Sequence, residues 1–333
     1  MIEILIFFIG ASLVLYVLFG GADYGAGILE LLPTPARLRD GQKELINYAM
    51  GPVWEANHMW LVLIIVILFN GFPLIFTTLM TSLHIPMVAL LIGIVVRGTA
   101  FTFRHYDAVQ TETSQKTYTV LFGFSSLWTA IWLGVLAGSL HRGLIAPKSL
   151  DFFEAYIHPW WGLYPFAMGL FVAAIFTFLA SVYLIGEARS SELRKLFTRR
   201  AFGANIAVIL TSLLLFVLSH SEMHSLFKDF ITHPFALSCL IAATVLFFIQ
   251  WIFIRTKKSI ATRVTSAGQV VLILSGWFAL YFPDVIRTTE GAISFQNAAA
   301  PESTLKMLVI ALLVGSLFIF PSLFYLFKVF RKV

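Results

Sequence analysis

About nine apolar runs, each long enough to cross a bilayer as a helix, follow one another along the chain with polar connections between them. They cover roughly residues 2–19, 53–69, 74–96, 118–136, 161–185, 201–218, 235–254, 266–282 and 305–327. The runs are continuously apolar, whereas the strands of a membrane barrel alternate, so the spans are expected to be helices. Of the 333 residues 59% are hydrophobic and only 12% charged, too much apolar surface for a water-soluble core to hide. The expected fold is an all-α multi-pass membrane protein. The single Cys239 excludes an internal disulfide and any cysteine-held metal or iron–sulfur cluster. The first run lacks the basic n-region and small-residue cleavage site of a signal peptide. A net charge of +6 is spread over the connections rather than gathered in one patch, so no nucleic-acid partner is expected.

Lys and Arg cluster in alternate connections. Arg37, Arg39 and Lys43 follow the first run, and Arg97, Arg104 and Lys116 the third. Arg189, Arg194, Lys195, Arg199 and Arg200 follow the fifth; Arg255, Lys257, Lys258 and Arg263 the seventh; Lys328, Arg331 and Lys332 the ninth. The other side holds only Arg142, Lys148, Lys228, Arg287 and Lys306. Positive charge stays on the cytoplasmic side, which puts the N-terminus outside and the C-terminus inside.

The stretch 51–72 joins a spanning run to a polar start carrying Glu55, Asn57 and His58 between Trp54 and Trp60. Pro52 suits a first helical turn, so the second helix is expected to begin there with Glu55 just inside. An ionisable group inside a membrane helix is costly and marks a candidate functional site. Asp23, expected just past the first run and surrounded by Gly20, Gly21, Gly25 and Gly27, falls on the same cytoplasmic side. Two carboxylates there suit a proton relay, and His58, three residues from Glu55, is placed to tune it. A helix cap for Asp23 and a salt bridge to a loop Arg for Glu55 are the bland alternatives. Arg97 and Arg104, seven apart, share a helix face and are available to pair with either acid or with a lipid head group. His84, near the middle of the third run, has the placing of an axial haem ligand, but a neutral His bonded to a neighbouring helix is the commoner case. Asn205, Gln250 and Gln269 suit interhelical hydrogen bonds, and residues 187–200 suit a solvated connector. Residues 283–303 show no recognisable site. No P-loop, GxGxxG, CxxCH or HExxH motif occurs. From composition and charge alone, a secondary transporter and an energy-coupling subunit both remain open.

Three ordered motifs go further: G-G-A-D-Y-G-A-G-I-L at 20–29, G-P-V-W-E-A-N-H-M-W-L at 51–61 and R-G-T-A-F-T-F-R at 97–104. In order and spacing they resemble subunit II of the cytochrome bd-type quinol oxidases, cyanide-insensitive forms included; Y-P-F-A-M-G-L at 164–170 and F-P at 282–283 resemble weaker landmarks of that family. The resemblance matches Asp23 to the acid of the first motif and Glu55 to an Asp on a proposed cytoplasmic proton path. Trp54, Asn57 and Trp60 match the remaining signature of the second motif, and Arg97 and Arg104 the arginines of the third. Gly20 stands where the family usually has an acid, Ala22 where it has Phe, Ala56 where it has Gly, and His58 where an acid is common. The resemblance implies two four-helix bundles (1–138 and 159–285) and a peripheral last helix with its tail (305–333). It implies a heterodimer in a bacterial or archaeal plasma membrane, whose subunit I holds haems b and d, or variants of them, and the quinol site. This chain would then ligate no haem or metal, would support assembly and cytoplasmic proton delivery, and would have room for a structural quinone or lipid; a small single-helix subunit can accompany such pairs. A proton-coupled secondary transporter is the alternative, although no convincing pair of matched broken helices is present.

Overall fold

The computed structural model describes residues 1–51, 54–106, 111–222 and 226–330. Pro52 and Val53, where the second span was expected to begin, and Arg331 and Lys332 of the tail lie outside the described residues. Among the described residues nine helices are long and apolar enough to cross a membrane. Among the described residues the fold is all-α apart from one hairpin.

The first span is one helix of 30 residues, made of α1 (Ile2–Leu15), a π-helical turn (Tyr16–Gly20) and α2 (Gly21–Leu31). An amphipathic α3 (Ala36–Met50) turns Leu45, Ile46 and Met50 inward. It leads to α4 (Trp54–Gly71), a short α5 (Pro73–Ser82), α6 (His84–Tyr106) and α7 (Glu112–Ser139). After a short α8 (Phe152–Tyr156) come α9 (Leu163–Glu187), α10 (Ser191–Glu222), a short α11 (Leu226–Thr232), α12 (Pro234–Arg255) and α13 (Ser259–Tyr281). Strands β1 (Asp284–Thr288) and β2 (Gly291–Ser294) form an antiparallel hairpin before the last helix, α14 (Glu302–Phe330). Pro73 and Pro234 open their helices at the position that needs no N–H partner. Side chains of Thr111, Asp151 and His233 accept from the N–H groups of Ser114, Glu154 and Ala236 and cap α7, α8 and α12.

Helix α9 is the axis of the molecule, packed against α2, α7, α10 and α13. Small residues allow the approach: a methyl group added at Gly25 would collide with the carbonyl of Phe176, and one at Gly134 with the backbone of Gly169. Helix α14 lies at the periphery, chiefly against α4 and α1. The hairpin caps one end of the bundle. Arg287 N–H donates to Leu140 O (2.8 Å), Thr289 N–H to Ile145 O (2.9 Å) and Ala300 N–H to Gly71 O (2.9 Å). That end is called the hairpin face. The opposite end, with α3 and the α12–α13 turn, is the basic face.

Three sequence expectations are corrected. The first helix does not stop near Phe19 but runs on to Leu31, so Asp23 is neither a cap nor in a loop; it is a buried helical residue, 1% exposed. Glycines that break helices in water here let α2 lie flush on α9. The third span is interrupted at Leu83, where backbone angles leave the helical region, and α6 starts afresh at His84. His84 therefore sits at a helix junction, with Nδ1 2.9 Å from Thr81 O and its ring 5.0 Å from that of Tyr156, not at mid-membrane. Residues 191–200 are the first turns of α10, and Arg200 is buried, donating to Leu32 O, Pro33 O and Thr34 Oγ1. Residues 284–294, within the stretch where the sequence shows no recognisable site, form the hairpin.

Candidate functional site

Helices α2 and α6 carry opposite charges at the same interval: Asp23 and Glu30 on one, Arg97 and Arg104 on the other. Seven residues return to the same helix face about 10 Å further along. Facing helices therefore form two ion-pair rungs. Asp23 Oδ1 lies 2.6 Å from Arg97 Nη2, and both side chains are 1% exposed. Glu30 Oε2 lies 2.7 Å from Arg104 Nη1, at 3% and 1% exposure. The Arg97 rung is the deeper one, eight residues or about 12 Å from the end of α2 at the basic face.

The arginines are held from other sides too. Arg97 Nε donates to Ser126 Oγ at 3.2 Å, and its guanidinium lies over the rings of Tyr24 (4.9 Å) and Phe122 (5.0 Å). Arg104 lies over Phe122 (4.7 Å) and Phe101 (5.6 Å) and donates to Asn47 Oδ1. Phe122 is thus shared by two guanidinia, a cation–π arrangement strengthened where water is excluded. Lys43 on α3 donates to Gln115 Oε1 at 3.3 Å, and Gln115 Nε2 donates to the Arg104 carbonyl. Burial, and then the Arg104 charge, lower the Lys43 ammonium below its ordinary pKa.

Above the inner rung lies a cluster of Tyr and His rings. The hydroxyls of Tyr16 and Tyr24 are 3.1 Å apart. The His58 ring packs against both, with centroids 6.5 Å and 5.8 Å away, and its Nδ1 has no hydrogen-bond partner among the described residues. Trp54 flanks His58 and Phe101. Asn57 and Trp60 are buried, Trp60 in the cluster that includes Tyr16 and Tyr24. Asp23 Oδ2 lacks a hydrogen-bond partner among the described residues. Hydroxyls and a neutral imidazole can each both accept and donate a hydrogen bond.

Glu55 stands apart. It is exposed in the first turn of α4, and no ion pair joins it to a described cation. It heads a stripe of exposed residues on one helix face, Met59, Val62, Val66 and Phe69. Of the pairings left open for the two arginines, that of Asp23 with Arg97 is present; Arg104 pairs with Glu30, and Glu55 has neither as partner. Glu30 went unnoticed in the sequence. The signal was its spacing: two acids and two arginines, each pair seven apart.

A cavity of about 390 Å³ lies between α9, α10, α12 and α13, lined mostly by Phe, Leu and Ile side chains with Asn205 and Gln269 among them. Asn205 Nδ2, Gln269 Oε1 and both amide atoms of Gln250 have no hydrogen-bond partner among the described residues, so these groups do not bond the helices together as expected. Among the described residues no group of three or more His, Cys, Asp or Glu side chains is placed to hold a metal ion.

Comparison with known proteins agrees with this architecture. Residues 1–330 match the family model described as cytochrome bd terminal oxidase subunit II. A cytochrome bd ubiquinol oxidase subunit 2 from Bacillus subtilis (strain 168) is 26% identical over 317 residues, covering 94% of this chain and 90% of that one. A chain of the bd oxidase from Geobacillus thermodenitrificans superposes with a TM-score of 0.75, covers 98% of both chains and is 16% identical, which shows a shared fold.

Proposed function

This chain belongs to the cytochrome bd terminal oxidase subunit II family, a family of subunits of quinol-oxidising oxidoreductase complexes, and we propose that it is the haem-free subunit that feeds cytoplasmic protons toward oxygen reduction. In this reading the haems b and d, or variants of them, and quinol oxidation belong to subunit I, and this chain supports that subunit's assembly. The basic face is cytoplasmic, so the N-terminus lies outside and the C-terminus inside, in a bacterial plasma membrane. Protons consumed inside, with quinol oxidised outside, build a proton-motive force.

The observation that carries the proposal is the polar file inside an apolar bundle: His58, the Tyr16–Tyr24 hydroxyl pair and Asp23 locked to Arg97. A carboxylate facing hydrocarbon is costly, so Glu55 at the head of the exposed α4 stripe suits a seam against the partner subunit or a water-filled path. Glu55 takes up the proton, His58 accepts on one ring nitrogen and donates from the other, and the tyrosine hydroxyls and Asp23 continue the file. Arg97 fixes the negative charge that stabilises a proton in transit. The same reading takes 1–138 and 159–285 as the two helix bundles and 305–333 as the last helix with its tail. It also places a structural quinone or lipid in the 390 Å³ cavity of the second bundle, and allows a small single-helix subunit beside the pair.

A proton-coupled secondary transporter is the competing account of the same carboxylates. Purification from native membranes separates the two. Co-elution with a haem-bearing subunit and quinol-dependent oxygen uptake are expected. A solitary, haem-free chain that moves a solute with protons in vesicles would overturn the proposal.

A further inference from the structure

At the hairpin face, remote from the polar file, Asp229, Thr232, His233, Leu280, Tyr281 and Arg287 wall an open cleft of about 330 Å³. Its charged groups come from fixed elements. Arg287 is carried on β1, whose N–H at that residue is bonded to Leu140 O, and its guanidinium lies over the Tyr281 ring at 5.4 Å. Tyr281 ends α13 and stacks on the buried His141 at 3.7 Å between centroids. His233 caps α12, and Asp229 and Thr232 belong to α11. Although Asp229 and Arg287 share the cleft, they form no ion pair with each other or with any other described residue.

The walls carry both acceptors and donors that remain open to a ligand. Thr232 Oγ1 already donates to Lys228 O at 2.9 Å, so its lone pairs remain to accept beside the Asp229 carboxylate. His233 Nδ1 is taken up by the Ala236 N–H at 3.3 Å, so the ring nitrogen left for a ligand is Nε2, which carries the proton and is a second donor in the cleft besides the Arg287 guanidinium. The walls thus offer a carboxylate and a hydroxyl as acceptors on α11, and a guanidinium and an imidazole N–H as donors. The complement of a cleft that holds an unpaired carboxylate and an unpaired guanidinium is a zwitterion carrying a cation and an oxyanion. The surroundings select its source: Phe235 (55% exposed) and Phe282 (48% exposed) lie beside His233 and Tyr281 in sequence and present bare rings at the ends of spanning helices, as residues at the rim of the hydrocarbon do.

We propose that this cleft binds the head group of a zwitterionic phospholipid of the ethanolamine type, with the phosphate on Arg287 and His233 and the ammonium on Asp229 and Thr232. Arginine presents a planar fork to phosphate oxygens, and the carboxylate supplies the charge-assisted acceptor for the ammonium. The site needs no quinol or haem chemistry, so it stands or falls separately from the oxidase reading.

The test is lipid retention by the full-length chain, purified with whatever subunits accompany it and passed into bilayer discs of phosphatidylethanolamine and phosphatidylglycerol at equal amounts. Native mass spectrometry of protein released from the discs should show about one retained phosphatidylethanolamine per chain, preferred at least tenfold over phosphatidylglycerol. Arg287→Gln should lose retention of both lipids at this site. Asp229→Asn should keep the phosphate contact and abolish the preference, and Thr232→Val should weaken the preference without touching the hairpin. Equal retention of both lipids by the unaltered chain, or retention indifferent to Arg287→Gln and Thr232→Val, would overturn the assignment. So would displacement of the lipid by millimolar free phosphoethanolamine with no dependence on the acyl chains, which would identify a soluble zwitterion as the ligand.

Discussion

Replacing Asp23 by Asn removes one charge from a pair 1% exposed on both sides and leaves the Arg97 guanidinium buried without a counter-ion. Breaking a buried ion pair from one side costs about 3–5 kcal/mol, because the orphaned charge keeps its desolvation penalty and loses its compensation. The asymmetry between partners is also predictable. A carboxylate left alone can neutralise by binding a proton, whereas a guanidinium stays charged at every accessible pH. Arg97 has other support in Ser126 Oγ at 3.2 Å and the faces of Tyr24 and Phe122, but none of these carries negative charge. Asp23→Asn alone should therefore destabilise strongly, and adding Arg97→Gln should recover part of the loss by removing the orphan. The coupling between the two substitutions should reach about 2 kcal/mol, inside the range for directly contacting groups. Denaturant unfolding of the purified complex in mild detergent, followed by helical circular dichroism for the two single variants and the double, measures it. Costs that simply add in the double variant would refute the claim that the two residues stabilise the fold as a pair.

Other consequences are as direct. Gly25→Ala puts a methyl group against the Phe176 carbonyl and should cost about 1–3 kcal/mol through overpacking of α2 on α9, lowering the yield of assembled protein in fluorescence-detected size exclusion. Tyr24→Phe removes the 3.1 Å hydroxyl contact with Tyr16, should cost about 1 kcal/mol of stability, and should slow turnover with no change in helix content. At the hairpin face, burial first and the nearby Arg287 second lower the His141 pKa to about 3, so the folded protein keeps it neutral. The unfolded chain takes up that proton below about pH 6.5, so stability is full above this value and is lost as pH falls toward 3. Thermal unfolding from pH 7 to pH 4 should show that decline, and His141→Phe, which keeps the stack on Tyr281, should flatten it; an equally steep decline in the variant would assign the acid sensitivity to other groups.

The spans were legible because lipid imposes long apolar runs with internally satisfied backbones, and among the described residues nine such helices stand, each overlapping one of the runs. What the hydropathy pattern hid lies at the run edges. The stretch from Gly20 to Gly27 contains four glycines and an acid, which in water would end a helix, and only the close partner α9 explains why it continues. The break at Leu83 was signalled by Pro86, which fits only the first turn of a new helix, but the unbroken hydropathy from 74 to 96 masked it. The Asp23–Arg97 pair was foreseeable from charge on both helices; the Glu30–Arg104 pair required noticing equal spacing across two distant segments. Arg200 counted as loop charge because no one-dimensional pattern shows that Leu32, Pro33 and Thr34 fold back to receive it.

Glu55 is the proposed point of proton uptake. Quinol-dependent oxygen consumption by membranes carrying Glu55→Gln, measured together with the haem spectrum of the purified complex, addresses it. The account predicts a loss of turnover of tenfold or more with haem content unchanged. Full turnover with full haem content would contradict it and leave this chain a scaffold for its partner.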